Sequence, residues 1–166
     1  FTHNDAQEAS PHFFHIDTKS GTREFVFGSR ASNPIDQWPD PDVYTHSSGQ
    51  TLSGSEMRNI NRTYPGVKDG TLTEQISYAI TNMINTLDID MEMDLHEASP
   101  EYPTVNATVA HERATAMASM GVLELQMAGV NMSLEPSPVT LRGLTHRELG
   151  DHTNLSLIHI SEPTRP

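Results

Sequence analysis

Two short stretches carry side chains with the means to do chemistry. The first, MEMDLHEASPEYP (Met91–Pro103), ends an alternating apolar and acidic run in Asp94-Leu95-His96-Glu97 and passes directly into a proline-interrupted loop. Imidazole is a common zinc ligand, and catalytic zinc often has two histidines, a carboxylate and one position open to water. A lone Asp-x-His fits that role, and it fits a hydrogen-bonded histidine at a strand end as well. Glu97 either orients His96 as a ligand or faces solvent. The second stretch, NINRTYPG (Asn59–Gly66), sets the amide of Asn61 beside the guanidinium of Arg62 on a turn stiffened by Pro65. Arginine grips carboxylates through a planar fork, and a neighbouring amide can complete such a pocket. An exposed arginine beside Pro-Gly is also commonly just solvated.

The elements that must position these groups are partly legible. Thr71 and Glu74 fit a capping box, and Leu72, Ile76, Ala79, Ile80, Met83, Ile84 and Leu87 follow at helical spacing. The run LDIDMEMDL, 87–95, alternates apolar and acidic residues, which predicts a strand with His96 at its C-terminal end. Upstream, REFVFGS (Arg23–Ser29) reads as a strand, and the proline-rich residues 33–57 read as a long irregular loop. Downstream, 107–119 reads as a helix with an Ala/Met face, and GVLELQMAGVNMSLEPSP as one or two strands around Gly129. The order strand, loop, helix, strand, helix, strand predicts an α/β fold with a mixed, largely parallel sheet flanked by helices. Sites in such sheets gather beyond the carboxyl ends of strands, the kind of place His96 occupies.

Composition narrows the function classes. The 166 residues suit one domain, and a formal charge of −12 argues against nucleic acid or an anionic membrane surface as partner. No apolar run is long enough to span a membrane. The chain has no cysteine, so any metal would have to be held by His, Asp and Glu. That composition suits a soluble protein of cytoplasm or periplasm equally.

The final residues differ in character from the rest. LSLIHISEPTR (Leu155–Arg165) matches, codon for codon, the in-frame translation of a transposon-end sequencing adapter. Residues 155–166 are therefore expected to be an adapter-derived tail and not native. Glu162 and Arg165 cancel, so residues 1–154 carry the same −12. They are expected to be a fragment of a single domain, with the natural chain continuing past Asn154.

Taken in order, NRTYPG, the helix DGTLTEQISYAITNMI and the strand IDMEMDLH resemble the zinc carboxypeptidase superfamily, in its succinylglutamate desuccinylase and aspartoacylase branch. Asn33-Pro34 after REFVFGS is similar to that family's Asn-Pro step, and the likeness covers roughly residues 23–97. The resemblance implies an incomplete zinc-carboxypeptidase-like α/β fold. It implies His96 as third ligand of one zinc ion, and Asn61 and Arg62 as the holders of a substrate carboxylate. The implied activity is hydrolysis of an amide in a small molecule or peptide bearing that carboxylate, by a deacylase or a carboxypeptidase. The 35 residues from Asn61 to His96 lean toward the compact deacylase branch.

The family's His-x-x-Glu pair is missing; His3 and Glu8 have the wrong spacing, and the pair is expected upstream of Phe1. Its general-base glutamate is expected beyond Asn154, with Glu135 and Glu148 as the candidates inside the chain. The fragment alone is thus expected to be inactive.

Other clusters have plainer readings. His111 in HERAT lacks the second histidine of His-Glu-x-x-His and reads as a helix surface. His146, Arg147, Glu148, Asp151 and His152 line a substrate pocket or form a charged loop. Arg30 and Arg58 are candidate oxyanion or carboxylate contacts that align with no motif. The alternative to the hydrolase is a non-catalytic acidic α/β domain that binds a ligand or partner.

Overall fold

Two antiparallel hairpins come first along the chain in the computed structural model, which describes residues 13–26, 41–97, 106–154 and 156–162. Strand β1 (Phe13–Thr18) pairs with β2 (Gly21–Val26), and β3 (Val43–Thr45) pairs with β4 (Thr51–Ser53). The strand expected at 23–29 is β2 in its described part. Its partner β1 precedes it in a stretch for which no element was expected. The second hairpin lies inside the expected long loop, since three-residue strands are too short for alternation to show. Of the sequence candidates, His3, Glu8, Arg30 and Asn33-Pro34 lie outside the described residues.

Two 3-10 segments, Gly54–Arg58 and Ile60–Arg62, lead into the longest helix, α1 (Leu72–Leu87). Its start is the expected capping box: the Thr71 hydroxyl accepts from the Glu74 N–H at 3.3 Å, and the Glu74 carboxylate accepts from the Thr71 N–H at 2.8 Å. Ile80 and Ile84 pack with Ile60, Tyr64 and Leu149 in a buried cluster. Leu72, Ile76, Met83 and Leu87 remain exposed on the same helix. The helix ends at Asp88, whose φ of 51° is the left-handed conformation that closes many helices.

The expected strand follows as β5 (Met91–Glu97). The acidic row is the covered one at Asp94, which is 7% exposed, whereas Leu95 is 76% exposed and Met91 and Met93 are about as open as closed. Next come β6 (Ala107–Ala110), a 3-10 turn Glu112–Ala114, and helix α2 (Thr115–Met127). This corrects the helix expected at 107–119, whose first four residues form a strand. It also moves residues 121–127 from strand to helix. Strand β7 (Ser133–Pro136) and helix α3 (Thr145–His152) precede β8 (Ser156–Glu162).

These last strands build one four-stranded sheet in the order β5-β8-β6-β7. The β5–β8 and β6–β7 pairs are parallel, and β6–β8 is antiparallel. The architecture is therefore mixed α/β, with short sheets and three α-helices among the described residues. A second buried cluster joins Ala110, Ala114 and Ala118 to Ile158 of β8, with Leu134 and Ile160 against it. No helix among the described residues is long and apolar enough to cross a membrane.

Candidate functional site

The turn around Asn61 and Arg62 is held from several sides. Asn59, fully buried, accepts the Asn61 N–H on its side-chain oxygen at 3.0 Å and donates its amide to Glu56 at 2.8 Å. The Asn61 side-chain oxygen accepts both the N–H of Thr145, at 2.8 Å, and its hydroxyl, at 3.1 Å. Thr145 opens α3, whose own N-cap position, Leu144, offers no side-chain cap. A residue 84 positions earlier thus supplies the acceptor that the helix lacks locally. With its oxygen engaged there, the Asn61 amide keeps its N–H2 as the end able to donate to a ligand.

Arg62 is only partly covered. One guanidinium nitrogen donates to the Asn61 carbonyl at 2.6 Å, and Nε lies 3.8 Å from the Glu56 carboxylate. Its backbone abuts Gly143, which has φ +86°. A Cβ on that glycine would lie 2.2 Å from the Arg62 carbonyl oxygen, so only glycine lets the two loops approach this closely. Tyr64 is 1% exposed; its N–H donates to the Gly143 carbonyl at 3.3 Å, and its carbonyl meets His46 Nε2 at 2.7 Å. Because the Ser48 N–H points at His46 Nδ1, the proton sits on Nε2 and the histidine is the donor to Tyr64. On the helix side, Pro65 accepts from the Thr81 hydroxyl at 2.9 Å. Tyr44 donates to the Glu74 carboxylate at 3.0 Å; burial first, and then that carboxylate, push its phenol above the ordinary value.

His96 stands at the penultimate position of β5, half-buried, opposite Ser161 of β8. A cleft of ≈ 510 Å³ is lined by Tyr64, by Ile80, Met83 and Ile84 of α1, by Ile89, and by residues 91–95 of β5. Each sequence stretch thus contributes to the lining of one cleft, Tyr64 from the first and residues 91–95 from the second. Asn61, Arg62 and His96 themselves are not among its lining residues.

The described residues do not by themselves supply the donor set of a zinc ion. Among the described residues no three His, Asp or Glu side chains gather as a metal would require. His96 is one imidazole where a tetrahedral centre needs three protein ligands. Of the glutamate candidates, Glu148 is 1% exposed and bound to Arg142 at 2.8 Å, to the Gly143 N–H at 3.0 Å and to His152 at 3.2 Å. Glu135 is half-buried on β7.

The charged stretch at 145–152 forms a helix and not a loop, and its side chains build an ion-pair network. Arg147, buried, binds Glu112 through two nitrogens at 3.0 and 2.5 Å and Asp151 at 3.1 Å. His111 is buried too, correcting its reading as helix surface. Its Nε2 lies 3.1 Å from both Asp151 and Glu112. The paired hydrogen bonds from Arg147 hold the Glu112 carboxyl well below its ordinary value of 4.5, at about 2. Glu112 in turn raises Arg147. Burial pushes Asp151 upward, but the His111 hydrogen bond and the two neighbouring arginines outweigh it and leave Asp151 below its usual range.

No protein-family model, no curated protein and no solved structure matches this chain.

Two outcomes follow from this geometry. Asn61→Ala removes the acceptor from the buried N–H of Thr145 and is expected to cost about 1–3 kcal/mol. Hydrogen exchange should quicken across α3 in that variant, and unchanged protection there would contradict the capping role. The second outcome concerns pH. Since the folded Glu112 carboxyl titrates lower than the unfolded one, its stabilisation is complete above pH 4.5 and is lost as pH falls toward about 2. The Glu112 side chain is 62% exposed, so solvent screening trims the effect. Urea unfolding of the parent should therefore weaken more steeply over that acid window than Glu112→Gln, and parallel profiles would refute the assignment.

Proposed function

We propose that the chain is the central, substrate-holding part of a zinc-dependent amide hydrolase with a zinc-carboxypeptidase-like fold. Its substrate class is small molecules or peptides whose scissile amide lies next to a carboxylate. The observation that supports this reading is a cleft to which both stretches contribute lining residues, Tyr64 two positions after Arg62 and residues 91–95 of β5 just before His96. A volume of ≈ 510 Å³ is of the size that small-ligand sites take.

Within this reading Arg62 presents its guanidinium to the substrate carboxylate, and the Asn61 amide N–H2 donates to the same group. Glu56, at 3.8 Å from Arg62, holds the guanidinium in place until an anion arrives. Thr145 fixes the direction of the Asn61 amide, so the two donors are set before binding and little ordering is lost on capture. His96 supplies one imidazole at the strand end. The described residues do not assemble a metal centre, and the bond-breaking steps belong to groups outside them.

The second reading, a non-catalytic acidic binding domain, is favoured by one observation: the Asn61 oxygen is wholly engaged in holding α3. The complete reading frame separates the two. The hydrolase reading expects a His-x-x-Glu pair upstream, a glutamate downstream and hydrolysis of N-acyl amino acids or of peptides. In that complete protein Arg62→Ala should lower kcat/KM about 10–100-fold, since a hydrogen-bonded charge contact is worth about 1.5–3 kcal/mol. A complete frame lacking both motifs and without activity would leave the binding domain.

A further inference from the structure

Helix α1 turns much of its apolar surface outward. Its buried positions include Glu74, Ser77 and Thr81 beside Ile80 and Ile84, whereas Leu72, Ile76, Met83 and Leu87 are exposed. Their spacing sets all four on one stripe, with the exposed Ala79 in the same row. The one charged side chain of the helix, Glu74, is buried, and Gln75, Asn82 and Thr86 beside the stripe are exposed and neutral. A solvated helix face ordinarily carries charge. This one has none, in a chain with a formal charge of −12.

The stripe reads alike in both directions. Leu72 and Leu87 lie equally far from the middle of the helix, as do Ile76 and Met83, and the small Ala79 stands next to the midpoint. A second α1 laid antiparallel therefore sets Leu72 against Leu87 of the second copy and Ile76 against Met83 of the second copy, each contact made twice, as a two-fold axis requires. The antiparallel arrangement also opposes the two helix dipoles. A parallel pair would instead bring Asp88 and Asp90 of both copies together at one end. Helix α2 exposes Met117, Met120, Leu123 and Met127, but Glu124 stands within that row, so pairing there would cover two carboxylates without a counter-charge.

We propose that α1 is a self-association face whose occupant is a second copy of this chain, joined through an antiparallel α1–α1 seam. The stripe spans about 22 Å of helix and is about 10 Å wide. That is well under the roughly 800 Å² per partner of a standard interface, so the dimer is weak, with a dissociation constant on the order of 100 μM. The seam is uncharged while the two chains repel, so salt tightens the pair. Met83 also lines the cleft, which places the second copy at its rim. The proposal is independent of any hydrolase activity.

Sedimentation equilibrium of the full chain tests it. Monomer should pass to dimer between about 10 μM and 1 mM, and more readily at about 0.5 M salt than at about 0.05 M. Ile76→Glu and Met83→Lys should each weaken association about tenfold or more. An equimolar mixture of the two should recover it, because the introduced carboxylate of one chain meets the introduced ammonium of the other across the seam. Met120→Lys, on α2, should associate as the parent does. The proposal is overturned if the parent stays monomeric throughout, if salt loosens the dimer, if Met120→Lys abolishes it, or if the mixture associates no better than either variant alone.

Discussion

One buried contact organises the site: the side-chain oxygen of Asn61, shared between the N–H and the hydroxyl of Thr145. It joins a turn near the middle of the chain to the first residue of a helix near its end. A buried helix N-terminus without an acceptor costs free energy, and this one has no local cap. Around the same contact Gly143 lies flush on Arg62, Tyr64 is sealed by His46, and Leu149 closes the cluster formed with Ile80 and Ile84. If the turn moved, α3 would lose its start and the cleft would lose its wall at Tyr64.

The helix α3 shows how much charge a short element can bury when its partners are in place. Six of its eight residues are buried, among them Arg147 and Glu148. Each has opposite charges within hydrogen-bond reach: Arg147 has Glu112 and Asp151, and Glu148 has Arg142. Removing one member would strand the other in a poorly solvated place, a larger penalty than the pair's own net worth. The network therefore fixes where α3 sits more than it raises stability. In doing so it aims Thr145 at Asn61, and so couples the ion pairs to the orientation of the amide beside Arg62.

What could be read from sequence was set by how local the determining forces are. Helix α1 was legible because its capping box and its apolar spacing lie within the helix itself. Strand β5 was legible as a period, yet alternation does not say which row is covered, and Asp94 is buried while Leu95 is open. Helix α2 carried no clear stripe: Met117, Met120, Leu123 and Met127 are exposed around buried Ala118 and Val122, so 121–127 read as strand. Helix α3 was illegible because its cap comes from Asn61 and its burial from ion pairs. Asn61, Arg62 and His96 were singled out by chemistry and order along the chain, whereas Thr145, Gly143 and Tyr64 meet the Asn61–Arg62 turn only through contacts made on folding. The tail at 155–166 was set apart by its composition, so the strand β8 within it was not expected.

The central claim is that the Arg62 turn and the His96 strand serve one cleft that receives an anionic ligand. It is tested most directly by titrating the protein with an N-acyl amino acid while following the Arg62 Nε–H, Tyr64 amide and His96 ring signals by NMR. The account predicts that all three shift along one saturating curve and that Arg62→Ala abolishes the response at His96. Shifts confined to Arg62, or a His96 signal indifferent to the ligand, would contradict it.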